Sequence, residues 1–140
     1  MLSPGAQGPI LRPVLRRLSI TRLGDGLDAT GALRPGSAAR TAVAIEEFAA
    51  AAYRLGAPNP VVLATYALRA ARNPQELLSR VQRPVRILSG EEEARLGFLG
   101  AVAALAPRHV APGVLVVDIG GGSVELTWGT LRGIEGTHSF

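Results

Sequence analysis

From Val114 the chain runs through an apolar stretch to Asp118 and Ile119, then meets Gly120-Gly121-Gly122-Ser123. Beyond the glycines, Val124, Leu126 and Trp128 alternate with Glu125, Thr127 and Gly129. That period of two belongs to an extended strand and not to a helix, so the glycines join two strands in a hairpin. The loop is thereby set apart from glycine-rich loops that feed a helix N-terminus. Bare amides approach a phosphate only where no Cβ intervenes, although a plain hairpin turn would use three glycines as well. Two acids add chemistry. Asp118 ends an apolar strand expected to be buried, where an unpaired carboxylate costs several kcal/mol, and Glu125 lies just past the loop. Two carboxylates flanking a phosphate-sized nest suit a hydrated Mg²⁺, which takes one or two carboxylates plus phosphate oxygens.

The rest of the 140 residues reads as one modest domain or a piece of a larger one, with 47% apolar and 19% charged residues. Residues 1–13, rich in proline and glycine, form a loose lead-in to a domain over 14–140. Val14 to Leu23 partly alternates and predicts a half-buried strand, broken by Gly24-Asp25-Gly26. Pro35 to Leu55 predicts a helix with Ile45, Phe48, Ala49, Ala52 and Leu55 at helical spacing, stopped by Gly56. Pro60 to Thr65 reads as a short buried strand, and Val85 to Leu88 as another short strand. Asn73-Pro74 reads as a cap and first-turn proline, with Leu77, Leu78 and Val81 facing inward. Ser89-Gly90-Glu91-Glu92 has the form of a capping box. It opens a helix to about Ala106, ended by Pro107, with Leu96, Leu99, Val102, Ala103 and Ala106 on one side. Strands alternating with helices predict an α/β layer with parallel pairings.

Composition removes several chemistries. The chain has no cysteine and no lysine; all fifteen basic residues are arginine. Thiol nucleophiles, disulfides, cysteine metal sites, a Walker lysine and a Schiff base are excluded. His109 reads as a surface loop residue, and His138 is given no role. The net charge of +4 is uneven: residues 1–90 carry 12 arginines against 5 acids, residues 91–140 carry 3 against 6. The basic half would attract a polyanion. No basic stretch is interleaved with aromatic rings, so no single-strand nucleic-acid platform is visible; Phe98 and Trp128 read as core or partner-facing residues. No secretion signal or membrane-spanning run is evident, which reads as a cytoplasmic protein without a membrane partner.

Glu91-Glu92-Glu93 opens the helix after Ser89. Acids there gain from the helix dipole, about 0.3–1 kcal/mol each; a carboxylate beside a bound phosphate can also serve as general base for water. At these residues the sequence resembles a known family. Ser89-Gly90-Glu91-Glu92-Glu93-Ala94-Arg95-Leu96 and Val117-Asp118-Ile119-Gly120-Gly121-Gly122-Ser123-Val124-Glu125-Leu126 are similar to the N-terminal domain of exopolyphosphatases and guanosine pentaphosphate phosphohydrolases, the Ppx/GppA phosphatases. The segments Arg22-Leu23-Gly24-Asp25-Gly26-Leu27-Asp28-Ala29-Thr30-Gly31 and Ala64-Thr65-Tyr66-Ala67-Leu68-Arg69-Ala70-Ala71-Arg72-Asn73 resemble it too. The four segments occur in the family's order and spacing over roughly residues 14–140.

The resemblance implies an α/β domain of the actin-like ATPase (ribonuclease H-like) fold, a mixed sheet with flanking helices and phosphate-binding hairpins in a cleft. It implies Gly120, Gly121, Gly122 and Ser123 as a phosphate loop, Asp118 and Glu125 as metal-associated acids for Mg²⁺, Glu93 as catalytic base with Glu92 as fallback, and Arg69 as a phosphate-facing cation. Tyr66 stands where the family commonly has a small hydroxyl residue. Relative to the family pattern, the chain is expected to lack the first strand with its phosphate loop and the second domain. A fragment of this kind is expected to be unstable or self-associating, as in a homodimer through an exposed sheet edge, and poorly active alone. The implied activity is release of terminal phosphate from inorganic polyphosphate, with guanosine pentaphosphate second. A non-catalytic polyphosphate or nucleotide sensor and a basic nucleic-acid-binding domain are the alternatives; nucleic acid is not the expected partner.

Overall fold

Proline and glycine set the limits of the longest helix, α2 (Pro35–Arg54). Pro35 sits in the first turn, where its missing N–H has no partner to lose. At the other end Gly56 takes a left-handed φ of +86. Its N–H reaches Tyr53 O at 3.0 Å, and the Ala57 N–H reaches Ala52 O at 2.9 Å. Together these bonds form a Schellman closure that needs a residue free of the Cβ penalty. The structure, a computed structural model, describes residues 13–104, 113–120, 122–130 and 133–140. The lead-in 1–12, the helix end at Ala106 and Pro107, His109 and Gly121 lie outside the described residues.

Ahead of α2 stands a single turn, α1 (Leu27–Thr30). After it come β1 (Val62–Ala64), α3 (Tyr66–Ala70), α4 (Gln75–Leu78) and β2 (Val85–Ile87). β1 and β2 pair in parallel, Val62 opposite Val85 and Ala64 opposite Ile87, as the alternation of strands and helices predicts. Leu27, Leu33, Ala38, Ala42, Leu68 and Leu77 form the core between this pair and the helices. The alanines of α2 let it approach closely. Phe48 and Leu55, expected on its inward stripe, are instead exposed.

The second layer is α5 (Gly90–Ala104) laid on an antiparallel sheet of β3 (Val114–Ile119), β4 (Val124–Thr130) and β5 (Gly133–Ser139), with β4 in the centre. The glycine segment does turn one strand back on the next, with Ile119 opposite Val124. Trp128, half exposed, lies over Gly136 directly across the ladder, where a Cβ would collide with its ring. Among the described residues no helix is long and apolar enough to cross a membrane.

Further expectations need correction, beginning with the Pro60 to Thr65 strand: it is not buried, since Val61 and Leu63 are exposed on a pair with a neighbour on one side only. Val14 to Leu23 joins neither sheet, and Val14, Leu18 and Ile20 are exposed; alternation alone makes no strand without a ladder partner for the backbone groups. Asn73 does not cap α4, which has no side-chain cap and only four residues. Its amide pairs instead with Leu33, accepting from the Leu33 N–H at 2.7 Å and donating to the Leu33 carbonyl at 3.1 Å. On α5 the buried stripe is Ala94 and Phe98, while Leu96 and Leu99 are largely exposed. β3 is covered on one face only, so Leu115, Val117 and Ile119 are exposed; Asp118, on the covered face, is exposed as well, near the end of the strand. The reason is common to the last two: a strand in a sheet with one covered face, and a helix lying on that face, each bury a single stripe.

Phe98 is 1% exposed and Leu99 48%. Phe98→Ala is expected to cost about 3–5 kcal/mol and Leu99→Ala well under half of that, measured by urea unfolding.

Candidate functional site

The parallel pair ends at Ala64 and Ile87, and both chains leave on the same side. Thr65 leads into α3; Leu88 and Ser89 lead into α5. The Leu88 N–H adds one more bond to Ala64 O at 2.8 Å, so both exits are held side by side. In open α/β sheets this carboxyl end of parallel strands is where ligands bind.

Arg69, one turn into α3, spans the gap. Its Nη1 donates to Leu88 O at 2.8 Å and to Glu93 Oε2 at 3.0 Å. The pair is partly shielded, with side chains 28% and 18% exposed. The three glutamates of α5 have separate surroundings. Glu91 is exposed. Glu92 closes the capping box: its Oε2 accepts the Ser89 N–H at 2.9 Å while Ser89 Oγ accepts the Glu92 N–H at 3.1 Å. Its other oxygen meets the Arg86 guanidinium. The Ser89 N–H, and then Arg86, hold the Glu92 carboxyl below the usual glutamate range. Glu93 makes the Arg69 bridge, and Glu93 N bonds Ser89 O at 3.0 Å in the first helical turn.

In the loop, the Gly120 N–H donates to Ser123 O at 2.9 Å, so it closes the turn and does not face outward. Gly122 lies against the Tyr66 ring, where any Cβ would collide. Tyr66 donates its hydroxyl to Asp28 Oδ1 at 2.7 Å, and this bond, with some burial, raises the phenol pKa. A cleft of about 530 Å³ opens here, lined by Arg22, Gly24, Asp25, Thr65, Tyr66 and Gly122 among others. Arg22 holds a left-handed φ of +54 at its rim.

Asp118 and Glu125 stand directly opposite each other across β3 and β4 and so share a sheet face. That face looks onto α5, where a Cβ on Gly97 would come within 3.4 Å of Asp118 Oδ2. Glu125 is 2% exposed and accepts a long bond of 3.4 Å from Ser139 Oγ. Neither carboxylate belongs to a salt bridge among the described residues.

Of the residues singled out in the sequence, the structure pairs Arg69 with Glu93, sets Asp118 opposite Glu125, and puts Gly122 on the cleft. Among the described residues no hydrogen bond or ion pair joins the Glu93 cluster to the Asp118–Glu125 pair, while α3 touches both the loop and the Glu93 cluster. Sequence reasoning missed Arg86, Asp28 and Ser139 as partners. Each is far in sequence from the residue it contacts or sits outside any helical spacing, so no local pattern marks them.

The model of the Ppx/GppA phosphatase family matches residues 3–139. Exopolyphosphatase 2 of Mycobacterium tuberculosis is 36% identical over 128 residues, 85% of this chain and 40% of that protein. A bifunctional 3-dehydroquinate synthase/phosphatase of Fusobacterium nucleatum is 28% identical over 130 residues, covering 89% of this chain and 19% of its own length. Among solved structures, the Aquifex aeolicus Ppx/GppA family member aligns with a TM-score of 0.75 at 30% identity, over 91% of this chain and 42% of its own. An exopolyphosphatase from Cytophaga hutchinsonii aligns at 0.74 and 28% identity, over 87% and 40%. The chain thus spans between about a fifth and about two-fifths of the length of these relatives.

The Glu92 environment has a pH signature. A carboxyl held below its ordinary value of 4.5 contributes stability that is present above that value and lost as pH falls through the lower, folded-state pKa. The stability difference between the parent and Glu92→Gln is therefore expected to be largest near neutral pH and to shrink below about pH 4.5, read as urea midpoints across pH 3–7.

Proposed function

The chain belongs to the Ppx/GppA phosphatase family and takes part of its actin-like ATPase fold, and on that premise we propose that it carries the phosphate-binding and water-activating residues of a phosphoanhydride hydrolase. The substrate of this reading is inorganic polyphosphate, cleaved at its terminal phosphate. Guanosine pentaphosphate ends in the same anhydride and falls in the same class. The observation that carries the reading is the Arg69–Glu93 pair, held at the carboxyl end of a parallel strand pair on the helix that also touches the glycine loop.

Each residue has a task. Arg69 occupies Glu93 Oε2 and holds the carboxylate in one orientation, leaving Oε1 to accept a proton from an attacking water. The Gly122 and Ser123 amides and the Ser123 hydroxyl receive phosphoryl oxygens, since the Gly120 amide is committed to Ser123 O. Arg69 would add positive charge as the bond to the leaving phosphate breaks. Glu92 is a poorer base than Glu93, because both its oxygens are taken and its carboxyl is held acidic.

The donor set fits Mg²⁺: a buried carboxylate with no cation partner among the described residues faces a second, exposed carboxylate across the ladder. Asp118 and Glu125 would hold the ion, which when bound neutralises charge developing on phosphate oxygens. Self-association also belongs to this reading, since Leu115, Val117 and Ile119 leave one face of β3 apolar and exposed.

The test is phosphate release from inorganic polyphosphate with Mg²⁺, by the chain alone and by the chain fused to the portion of a relative that it does not span. Glu93→Gln is expected to lower release by about 10²–10⁴-fold with polyphosphate binding retained. Undiminished release in that variant removes Glu93 from its role.

A further inference from the structure

Tyr66, at the start of α3, reaches across to the glycine loop. Its ring meets Gly122 along the Cδ1–Cε1 edge, and only the absence of a Cβ at Gly122 admits it. Its hydroxyl is fixed to Asp28 Oδ1 at 2.7 Å, so the ring cannot swing away without breaking that bond. Three residues further, on the same face of α3, Arg69 bonds Leu88 O and Glu93. One short helix therefore touches the loop at one point and the first turn of α5 at the other.

We propose that Tyr66 is a positioning residue: its ring braces the glycine loop at Gly122 and so sets the distance between the phosphate-receiving amides and Glu93. This rests on the hydrolase reading of the cleft. A small residue at position 66 would leave a gap beside Gly122, where the Tyr66 ring now packs against the hairpin tip. A phenol is already neutral well below its ordinary pKa of 10.0, and the Asp28 bond raises that further, so Tyr66 puts no charge beside a bound phosphate.

The experiment compares the 140-residue chain with Tyr66→Ser and Tyr66→Phe. The first readout is hydrogen exchange at the Gly120 and Val124 amides, which bond Ser123 O and Phe140 O. The α2 amides serve as an internal reference. In the serine variant the two loop amides are expected to exchange about fivefold faster or more while α2 is unchanged, with phenylalanine restoring the parent rates. The second readout is affinity for inorganic tripolyphosphate, expected to weaken about tenfold in the serine variant and to return with phenylalanine. Loss of protection spread evenly into α2 makes Tyr66 an ordinary core residue and overturns the positioning role. So does parent-like loop exchange or parent-like tripolyphosphate affinity in the serine variant. If the parent itself binds no tripolyphosphate, the phosphate reading of the cleft fails first and the positioning role fails with it.

Discussion

Arg69 has a single guanidinium nitrogen that serves two acceptors, the Leu88 carbonyl at the end of β2 and the Glu93 carboxylate at the start of α5. The Leu88 carbonyl lies just past β2, and the helix's first turn presents a charge. One cation satisfies both, and hydrogen bonds of this charged kind contribute about 1.5–3 kcal/mol net. Because Arg69 is carried by α3, which follows β1 directly, the contact also fixes how the two strand exits face each other. The cleft, the orientation of Glu93 and the approach of Tyr66 to the loop all follow from that short helix being held in place.

The same end of the pair shows how three identical residues in a row acquire different properties. Successive helical positions turn by 100°, so the side chains of Glu91, Glu92 and Glu93 leave the helix in different directions. Glu91 reaches water, Glu92 folds back on Ser89, and Glu93 meets the arginine of another helix. The capping box was legible in Ser89 and Glu92 because both partners lie within one turn. That Glu93 faces Arg69 was not, since 24 residues separate them and only the parallel pairing of β1 and β2 brings them together.

The second layer shows the opposite balance. The hairpin at the glycines followed from alternation alone, and Asp118 opposite Glu125 follows once the turn is in register. What alternation did not reveal is which face would be covered. α5 covers one face, burying Glu125 and Thr127 and leaving Leu115, Val117 and Ile119 exposed. The carboxylate that ended up buried is the one beyond the loop, not Asp118 at the end of the apolar strand.

Local pattern therefore determined the helix limits at Pro35 and Gly56, the capping box at Ser89, and the turn at the glycines, because each rests on contacts within a few residues. It also carried the family likeness that the comparisons bear out. The Val14–Leu23 segment, the partner of Asn73, the buried stripe of α5 and the meeting of Tyr66 with Gly122 were decided only in three dimensions. In each of those cases the outcome depends on what lies alongside. A strand needs a neighbour to bond, a polar side chain takes the nearest unpaired backbone group, and an aromatic ring enters only where another segment has left out its Cβ.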